Sequence, residues 1–417
     1  MRDVRMRGFA ERADVEEVED FLVKHTRVLG AEPVGLLDCV GRVLAEDIRA
    51  EVDVPGFARS AMDGYAVRGE DTFGATAYDP VSLEVLGEIL PGRRFEGRVE
   101  RGQAVRVMTG APIPNGADAV VMAEVCTESD GKVAVTEPSS PARHVAAIGE
   151  DIRSGDRVLS RGRRLRPQDA GLLASIGLAW PKCVRRPKVQ LLITGDELLP
   201  AGSRADGPRI VDSNSVVLRA LVERDGGELL PYEILPDRVE RIRQALEDKA
   251  PDVLLVSGGS SVGTEDHAPG LLSELGSLDF HGISMRPSSP AGLGRLGAAP
   301  NQRWVFLLPG NPVSCLCAYE FFAGPTLRTL GGRPRSWPHR RVRLPLARKI
   351  VSAIGRTDYV RVAIEQGRVV PLAVSGASIL SSTVRASGAV IVRRELEGMP
   401  EGAEAEVLLY DAEEPLA

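Results

Sequence analysis

The chain has 417 residues, which is too long for one ordinary hydrophobic core and predicts two to four domains. It carries 52 basic and 58 acidic side chains, and its arginines are spread along the sequence, so nucleic acid is not an expected partner. No apolar run approaches the roughly 18 residues that a membrane span needs, and the N-terminal segment lacks an apolar signal core, so we expect a soluble cytoplasmic protein.

The five cysteines indicate buried thiols and not a metal site. Their number is odd, and of Cys39, Cys126, Cys183, Cys315 and Cys317 only the last two lie close together in the sequence. On a helix, two side chains that are two positions apart point to different faces. We therefore expect packed thiols and no cysteine-bound metal.

The first segment of the chain is predicted to be partly helical. Asp14 and Glu17 have the spacing of a capping box. The side chains that would form one apolar face of this helix are Val15, Val18, Phe21 and Leu22.

Beyond Val54 the sequence becomes rich in turns, in the run VPGFARSAMDGYAVRGED. Ser60 and Asp63 lie in this run, and they have two interpretations. They are either ordinary turn residues, or a hydroxyl and a carboxylate that the turn presents to a ligand.

A small, mostly antiparallel β domain is predicted over residues 81–135, where apolar and polar side chains alternate and Asp130-Gly131 has the form of a hairpin turn. Thr109 follows a predicted strand there, as a strand-end hydroxyl or as a functional one. A second acidic turn ends in Asp151. The helix predicted at 167–176 then returns the chain to its first domain, so we interpret the β segment as an insertion.

Residues 187–332 alternate strands with amphipathic helices, which is typical of βα units around a parallel or mixed sheet. The predicted strands are 189–193, 229–234, 253–256, 280–285 and 304–308. The predicted helix starts are a cap at Asp212-Ser213-Asn214 and a capping box between Asp237 and Glu240.

Three loops of this region follow predicted strands and carry glycine, at residue 195, at 258–263 and at 309–314. Ligands of open parallel sheets bind outside the carboxyl ends of the strands, so we expect the three loops to converge on one site. In the third loop Asn311 would cap a helix with Pro312 at its first position, which would leave free N–H groups for an anion.

Acidic side chains recur in turns and loop ends, where few of them have obvious helical ion-pair partners. They are Asp63, Asp151, Glu197, Asp237 and Asp266. If several of them converge, they repel one another unless a divalent cation is present. Oxygen-only ligands next to a phosphate site favour Mg²⁺.

After Pro334 the alternation of apolar and polar residues returns, which predicts a separate C-terminal β domain. Arg361 and Ser381 are polar groups that this domain could contribute to a site. Ordinary surface residues are the other interpretation of both.

Six ordered motifs resemble the molybdopterin molybdenumtransferases, the MoeA and gephyrin E-domain family, over essentially the whole chain. The motifs are SAMDGYAVR (60–68), VMTGAPIPNGADAVVMAE (107–124), GEDI (149–152), TGDEL (194–198), VSGGSSVGTEDH (256–267) and LPGNPVS (308–314). The resemblance implies the reaction of adenylylated molybdopterin with molybdate to give molybdenum cofactor and AMP, with Mg²⁺ required.

The resemblance also implies a multidomain α/β plus β fold and a homodimer of elongated four-domain subunits. Domain I would be a discontinuous helical and mixed domain at 8–53 and 150–182, with domain II, the inserted β domain, at 54–149. Domain III, a MogA-like α/β domain that binds molybdopterin, would span 183–334. A β-barrel-like domain IV would span 335–417.

The site residues follow from the same resemblance. It implies catalytic roles for Asp63, Thr109, Asp151 and Glu197, and Mg²⁺ ligation by Glu197 and Asp266. The implied substrate-binding residues are Thr194, Gly195, Asp212, Ser213, Asn214, Asp237, Gly258, Gly259, Ser260, Asp266, Pro309, Gly310, Asn311 and Ser314. The candidates for binding the oxyanion are Arg286, Ser289, Arg361 and Ser381.

One segment departs from the family pattern. The family commonly has Lys-Pro-Gly-Lys-Pro where this chain has Arg286-Pro287-Ser288-Ser289-Pro290, so Arg286 keeps one positive charge and Ser289 lacks the other. Loss of a cation beside an oxyanion weakens binding by ~1–3 kcal/mol, unless Arg286 or another arginine compensates.

Alternatives to molybdate insertion stay open. The departure at Ser289 permits a paralogue that binds pterin as a carrier or scaffold, and the oxyanion could be tungstate. A nucleotide-processing hydrolase is a third possibility, although it would not need the matches at Asp63 and Thr109. A contact with the molybdopterin adenylyltransferase and a site shared between subunits are further expectations.

Overall fold

A computed structural model describes residues 12–259, 266–373 and 376–411. The chain forms two compact units, one of Met1–Glu32 with Val184–Ala417 and one of Pro33–Cys183. These units do not test the four predicted domain boundaries, which stay predictions. No helix in the described ranges is long and apolar enough to cross a membrane.

The N-terminal helix α1 (Val15–His25) precedes strand β1 (Ala31–Pro33). Val15, Val18 and Leu22 are buried, as the periodicity predicts. The predicted capping box is wrong, since no side chain caps this helix and the Asp14 carboxylate forms an ion pair with Arg394.

The unit Pro33–Cys183 is mainly β. Its elements are β2 (Ile48–Arg49), β3 (Arg59–Ser60), β4 (Gly64–Val67), β5 (Val81–Ile89), β6 (Gln103–Val107), β7 (Ala119–Met122), β8 (Cys126–Ser129), β9 (Lys132–Val135), β10 (Val145–Ala146), β11 (Arg157–Leu159), α2 (Pro167–Ser175) and β12 (Lys182–Val184), the last extending one residue further.

Six of these strands form one sheet in the order β7-β4-β6-β5-β9-β8, antiparallel except for the β5–β6 pair. Asp130 and Gly131 have φ values of 50° and 72° and connect β8 to β9 as the predicted hairpin. The predicted β character of residues 81–135 and the helix that begins at Pro167 are confirmed.

The other unit contains a mixed α/β region. Its elements are β13 (Lys188–Thr194), β14 (Leu198–Leu199), β15 (Ile210–Val211), α3 (Asn214–Asp225), β16 (Glu228–Leu229), β17 (Ile234–Leu235), α4 (Val239–Glu247), β18 (Val253–Ser257), α5 (Ala268–Leu275), β19 (Ser277–His281), β20 (Met285–Arg286), β21 (Gly292–Leu296), β22 (Arg303–Leu308), α6 (Pro312–Ala318) and α7 (Gly324–Leu330).

Seven strands form its sheet, in the order β16-β13-β18-β22-β21-β19, with β17 also paired to β13. The β13, β16, β17, β18 and β22 pairs are parallel, whereas β21 is antiparallel to both of its neighbours. This arrangement confirms the predicted mostly parallel α/β sheet.

Two strand predictions need correction. The strand predicted at 280–285 ends at His281, and residues Met285–Arg286 pair with a strand of the C-terminal sheet. The run predicted at 229–234 is split into β16 and β17, with Pro231, which has no N–H to donate, between them.

Strand β21 was not predicted, because its sequence GLGRL is rich in glycine. A Cβ on Gly294 would lie only 2.0 Å from the carbonyl oxygen of Ser277. Glycine at this position therefore permits the close pairing of β21 with β19.

The helix starts follow the predictions in part. Asp212 accepts the N–H of Ser215 at 3.1 Å, and Gly226, at φ 86°, ends α3 as expected. The capping box predicted for Asp237 is not formed, because Arg238 is the capping residue of α4 and contributes no side-chain cap.

The C-terminal strands form a six-stranded sheet. The elements are β23 (Arg341–Pro345), β24 (Ile350–Val351), β25 (Thr357–Glu365), β26 (Arg368–Ala373), α8 (Ser381–Val384), β27 (Gly388–Val392), β28 (Gly398–Met399) and β29 (Glu404–Leu409). The order is β20-β25-β27-β29-β23, with β26 on β25, so β20 of the α/β region is an edge strand of this sheet.

A buried carboxylate, Glu320, lies in the π-helical turn Tyr319–Ala323 between α6 and α7. Arg224 donates to its two oxygens at 2.6 and 2.9 Å, and Nε2 of His339 lies 3.4 Å from Oε1. Burial alone would raise the pKa of Glu320, but the hydrogen bonds from His339 and Arg224 outweigh it and hold the pKa at about 2.

The ion pair of Glu320 with Arg224 predicts a contribution to the unfolding free energy that is lost in acid. The pKa of folded Glu320 lies below its ordinary value of 4.5, so the contribution is complete above that pH and is lost as the pH falls towards about 2. Denaturant unfolding of the wild type between pH 6 and pH 2 should show a loss on the order of 3 kcal/mol from this group.

The Glu320→Gln variant should be less stable at pH 7 and should lack this part of the pH dependence. Glu365→Gln, at an exposed position at the end of β25, is the matched control. Parallel stability curves for the wild type and Glu320→Gln would contradict the assignment.

Candidate active site

The carboxyl ends of three neighbouring parallel strands lie at one edge of the α/β sheet. Strands β13, β18 and β22 end at Thr194, Ser257 and Leu308, in adjacent register. The loops that follow them are the three glycine-bearing loops of the sequence. The structure therefore brings these loops together, as their positions after parallel strands predict.

A cavity of about 560 Å³ lies at this edge, and we call it the sheet-edge cavity. The predicted site residues that line it are Thr194, Glu197, Asp212, Ser213, Asn214, Gly258, Gly310 and Asn311. Ser257 and Ser378 line it as well and were not predicted. Ser257 carries a signal as the polar last residue of an apolar strand, whereas nothing in the sequence near Ser378 indicates this position.

Asn214 connects the end of β18 to the loop that follows β22. Its side-chain Nδ2 donates to Ser257 Oγ at 2.9 Å and to the carbonyl oxygen of Gly310 at 2.8 Å. Asn214 is buried, so a lost hydrogen bond there is not replaced by bulk water. These bonds hold the loop to the strand end, and the predicted contact of Asn214 with substrate stays a prediction.

The loop after β18 requires glycine. Gly258 and Gly259 have φ values of 91° and 52°, and a Cβ on Gly258 would lie 2.2 Å from the carbonyl oxygen of Thr194. The predicted substrate-binding residue Ser260 lies outside the described residues, as does the rest of 260–265.

Oxygen atoms from three predicted residues meet around Gly259. The position that a Cβ would take there is 3.0 Å from Thr194 Oγ1 and 4.0 Å from both Asp237 Oδ1 and Asp266 Oδ1. Thr194 Oγ1 and Asp237 Oδ1 are buried and have no hydrogen-bond partner of good geometry among the described residues. The Thr194 hydroxyl also lowers the pKa of the Asp237 carboxyl, so these two groups interact with each other and do not by themselves require a cation.

The acidic neighbours change the protonation of Asp237. Burial raises the pKa of this carboxyl, and the charges of Asp196 and Glu197 raise it further, against a backbone N–H from Asp196 that lowers it. Both oxygens of Glu197 lie 2.8 Å from the position of a Cβ on Gly195, so glycine there lets the carboxylate fold back over its own turn.

The described residues of this region offer Mg²⁺ few carboxylate ligands. No group of three or more His, Cys, Asp or Glu side chains arranged for a metal occurs in the described part of the chain. Mg²⁺ commonly binds proteins through one or two carboxylates, with substrate phosphates and water as the other ligands. Glu197 and Asp266 match that pattern of few protein ligands.

The start of α6 differs from the sequence prediction. Asn311 makes no side-chain cap, and its Oδ1 instead accepts the hydroxyl of Ser378 at 2.8 Å. The N–H of Val313 donates to the carbonyl oxygen of Ala377 at 2.9 Å. The predicted free N–H is therefore already used at Val313 by the chain itself.

A second cavity, of about 500 Å³, adjoins the first at Asn311, and we call it the arginine cavity. Its lining includes Arg12, Arg286, Arg356, Ser288, Ser289, Pro309 and Ser314. Pro309 and Ser314 were predicted to bind substrate, and they face this cavity instead of the sheet-edge cavity. Arg286 and Ser289, two of the oxyanion candidates, line it as well.

The other two oxyanion candidates lie elsewhere. Arg361 is fully buried, so the interpretation as a surface residue is wrong, and its Nε donates to Ser382 Oγ at 3.2 Å. Its Nη2 is 3.7 Å from the Cβ position of Gly376, which lines the arginine cavity, so Arg361 lies behind that wall. Ser381 is exposed at the start of α8.

In the unit Pro33–Cys183 the structure joins two predicted catalytic residues. Both the N–H and the hydroxyl of Thr109 donate to Asp63 Oδ1, at 2.7 and 2.8 Å. These two hydrogen bonds lower the pKa of the exposed Asp63 carboxyl, so it is held ionised. Asp151 is exposed beside another turn, where its N–H donates to the carbonyl oxygen of Val54 at 3.0 Å.

The cysteines are mostly buried. Cys39, Cys183, Cys315 and Cys317 are buried thiols outside any disulfide, and Cys126 is a half-buried one. Burial raises the pKa of the Cys315 thiol to about 12, which keeps it protonated and unreactive.

A mostly parallel α/β sheet with a cavity at its carboxyl edge is typical of α/β enzymes that bind small molecules there, and the fold places this chain in that class. Residues 13–177 match the family described as MoeA N-terminal region (domain I and II). Residues 190–329 match a probable molybdopterin binding domain, and residues 343–410 match the MoeA C-terminal region (domain IV).

Whole-chain comparisons agree with these matches. The chain is 35% identical to the molybdopterin molybdenumtransferase of Haemophilus influenzae, over 87% of this chain and 90% of that one. It is 31% identical to the enzyme of the same name from Staphylococcus aureus, over 90% and 88%. A crystal structure of the molybdopterin biosynthesis MoeA protein from Pyrococcus horikoshii, 31% identical, superposes with a TM-score of 0.82 over 96% of this chain and 100% of that one.

The chain therefore belongs to the MoeA family of molybdopterin molybdenumtransferases. Family membership confirms the resemblance found in the sequence motifs. It identifies the chain as a transferase with a role in molybdenum cofactor biosynthesis.

The position of Asn214 leads to a prediction about the loop 309–311. Asn214→Ala removes the donor to Ser257 and Gly310, so the amides of residues 308–316 should exchange hydrogen faster, and the unfolding free energy should fall by about 1–3 kcal/mol. Hydrogen exchange monitored by mass spectrometry and denaturant unfolding measure the two effects.

Asn301→Ala, at an exposed position in a turn of the same unit, is the matched control and should change the unfolding free energy by less than about 0.5 kcal/mol. Unaltered exchange at 308–316 in Asn214→Ala would show that these bonds do not hold the loop.

Proposed function

We propose that this chain inserts molybdenum into adenylylated molybdopterin, consuming molybdate and releasing AMP. The observation that carries the proposal is the adjacency of two polar cavities that share Asn311. One is lined by glycine loops and carboxylates and the other by arginines. A pterin phosphate with its nucleotide suits the first cavity, and a tetrahedral oxyanion suits the second.

The sheet-edge cavity offers a mixed surface to the pterin substrate. Ile193, Leu198 and Ile210 provide apolar contacts, and Asp212 and Ser213 add polar groups at the start of α3. Gly258 and Gly310 let the backbone approach the ligand without a side chain in the way.

Magnesium is part of this proposal. Glu197 and Asp266 would hold the ion, with the buried oxygens of Thr194 and Asp237 nearby. When bound, Mg²⁺ neutralises negative charge on the phosphate oxygens as the phosphoanhydride breaks. The raised pKa of Asp237 is consistent with this arrangement, because a cation lowers the cost of keeping that carboxyl ionised.

The proposal includes further predictions that rest on the family resemblance. These are a homodimer, contact with the molybdopterin adenylyltransferase, a location in the cytoplasm and direct roles for Asp63, Thr109 and Asp151.

The reaction is tested by mixing purified protein with adenylylated molybdopterin, Mg²⁺ and molybdate. AMP should be released only when the oxyanion is present, and chelation of Mg²⁺ should stop the release. Tungstate in place of molybdate tests the choice of oxyanion. Bound adenylylated pterin that stays intact would support a carrier, and AMP release without an oxyanion would support a hydrolase.

The Asp63–Thr109 pair predicts that the charge at position 63 matters for turnover and not for folding. Asp63→Asn keeps an oxygen that can accept from Thr109 but removes the charge, and Asp63→Ala removes both. Each should lower the rate of AMP release by about 100-fold or more with an unchanged melting temperature.

Asp130→Asn is the matched control, since Asp130 is an exposed turn carboxylate of the same unit. It should leave turnover at the wild-type level. A parallel loss of melting temperature and activity in Asp63→Ala would make Asp63 a structural residue.

A further inference from the structure

The arginine cavity has several arginines in its lining, although Ser289, where the family resemblance implies a lysine, carries no charge. Three arginines line the cavity, Arg12, Arg286 and Arg356. None of the described lining residues is acidic. The fully buried carboxylate of Asp358 forms ion pairs with Arg286 and Arg356.

Asp358 balances only one of these charges. Arg286 forms a bidentate ion pair with Asp358, in which Nε donates to Oδ1 at 3.1 Å and Nη2 contacts Oδ2. The hydroxyl of Ser352 donates to Oδ2 at 2.7 Å, and Arg356 Nε lies 3.3 Å from Oδ1. Among the described residues at this cavity, three formal positive charges therefore face one negative charge.

The backbone fixes the two arginines that the family resemblance does not assign. Ala13, next to Arg12, donates its N–H to the carbonyl oxygen of Gly282 at 3.1 Å and accepts from the N–H of Ser284 at 2.8 Å. Thr357, next to Arg356, donates to the carbonyl oxygen of Ser284 at 2.9 Å. Both arginines are therefore attached to the chain segment that leads into Arg286.

The serine at position 289 has space for a ligand but no internal partner. Its Oγ is buried and makes no hydrogen bond with any described residue. The neighbouring Ser288 hydroxyl differs, because it donates to the carbonyl oxygen of Ser314. Ser289 can thus donate its hydroxyl proton to an anion in the cavity without breaking another bond.

We propose that Arg356 and Arg12 are oxyanion-specificity residues that supply the positive charge missing at Ser289, so that the arginine cavity holds a tetrahedral dianion. The inference rests on the proposed function, since the dianion is the oxyanion substrate. Arg286 is oriented by Asp358 and presents its remaining donors, Arg356 and Arg12 provide the excess charge, and Ser289 donates one hydrogen bond.

The proposal differs from a simple loss of the positive charge at position 289 without replacement. If the charge is already complete, a lysine at position 289 adds nothing favourable, because its ammonium would meet guanidinium groups. If Arg356 is neutralised, the same lysine replaces the lost charge. The effect of Ser289→Lys therefore depends on whether Arg356 is present.

Calorimetric titration of the full chain with sodium molybdate, at fixed ionic strength, measures the affinity of each variant for molybdate. Arg356→Gln and Arg12→Gln should each weaken binding by about 10-fold, and Arg356→Lys by less, since it keeps the charge. Arg393→Gln, at an exposed position of the same unit, is the matched control and should bind as the wild type does. Melting temperatures confirm that each variant is folded.

The double variant Ser289→Lys/Arg356→Gln completes the design. It should recover most of the affinity that Arg356→Gln loses, whereas Ser289→Lys alone should bind molybdate no more tightly than the wild type. Affinity that is unchanged in both arginine variants, or a strong gain from Ser289→Lys alone, would overturn the inference.

A wild-type chain that binds no molybdate would overturn the proposed function itself, and so the two failures are distinguishable. Sulfate titrated in the same way shows whether the cavity selects by charge alone, in which case it competes with molybdate at similar concentration.

Discussion

The amide of Asn214 is the contact on which the sheet edge depends. Parallel strands bring Ser257 and Gly310 to the same edge, but strand pairing ends before the loops begin. One buried side chain then bonds to both, at 2.9 and 2.8 Å, and fixes the distance between them. The sheet-edge cavity is consequently a property of the tertiary fold and not of any one loop.

The arginine cavity depends on a different constraint, the passage of the chain from one sheet to another. Strand β20 leaves the α/β sheet and pairs in parallel with β25, which places Arg286 beside Asp358. The same pairing places Arg356 at the cavity, and a short parallel bridge from Ala13 to Ile283 places Arg12 there. Three distant parts of the sequence thus supply the arginines of one cavity.

What could be predicted from the sequence was local. The periodicity of apolar residues predicted the buried face of α1, and the Asp130-Gly131 pair predicted the hairpin. The positions of the glycines predicted the loops at the sheet edge. Each of these predictions depends only on residues that are close together in the sequence. The capping box at Asp14 was wrong because Asp14 pairs with the distant Arg394. The surface interpretation of Arg361 was wrong because alternation on a strand does not reveal which later segments cover it.

The two cavities differ in the charges of their lining residues, because Glu197 and Asp212 line the sheet-edge cavity and three arginines line the arginine cavity. Burial, together with the charges of Asp196 and Glu197, raises the pKa of the Asp237 carboxyl at the sheet edge. In the function that we propose, an oxyanion with two negative charges is therefore attracted to the arginine cavity and not to the acidic sheet edge. The cavities meet at Asn311, an uncharged residue whose side chain is bonded to Ser378. Because the residue that both cavities share is uncharged, it adds no ion pair between the two sets of charges.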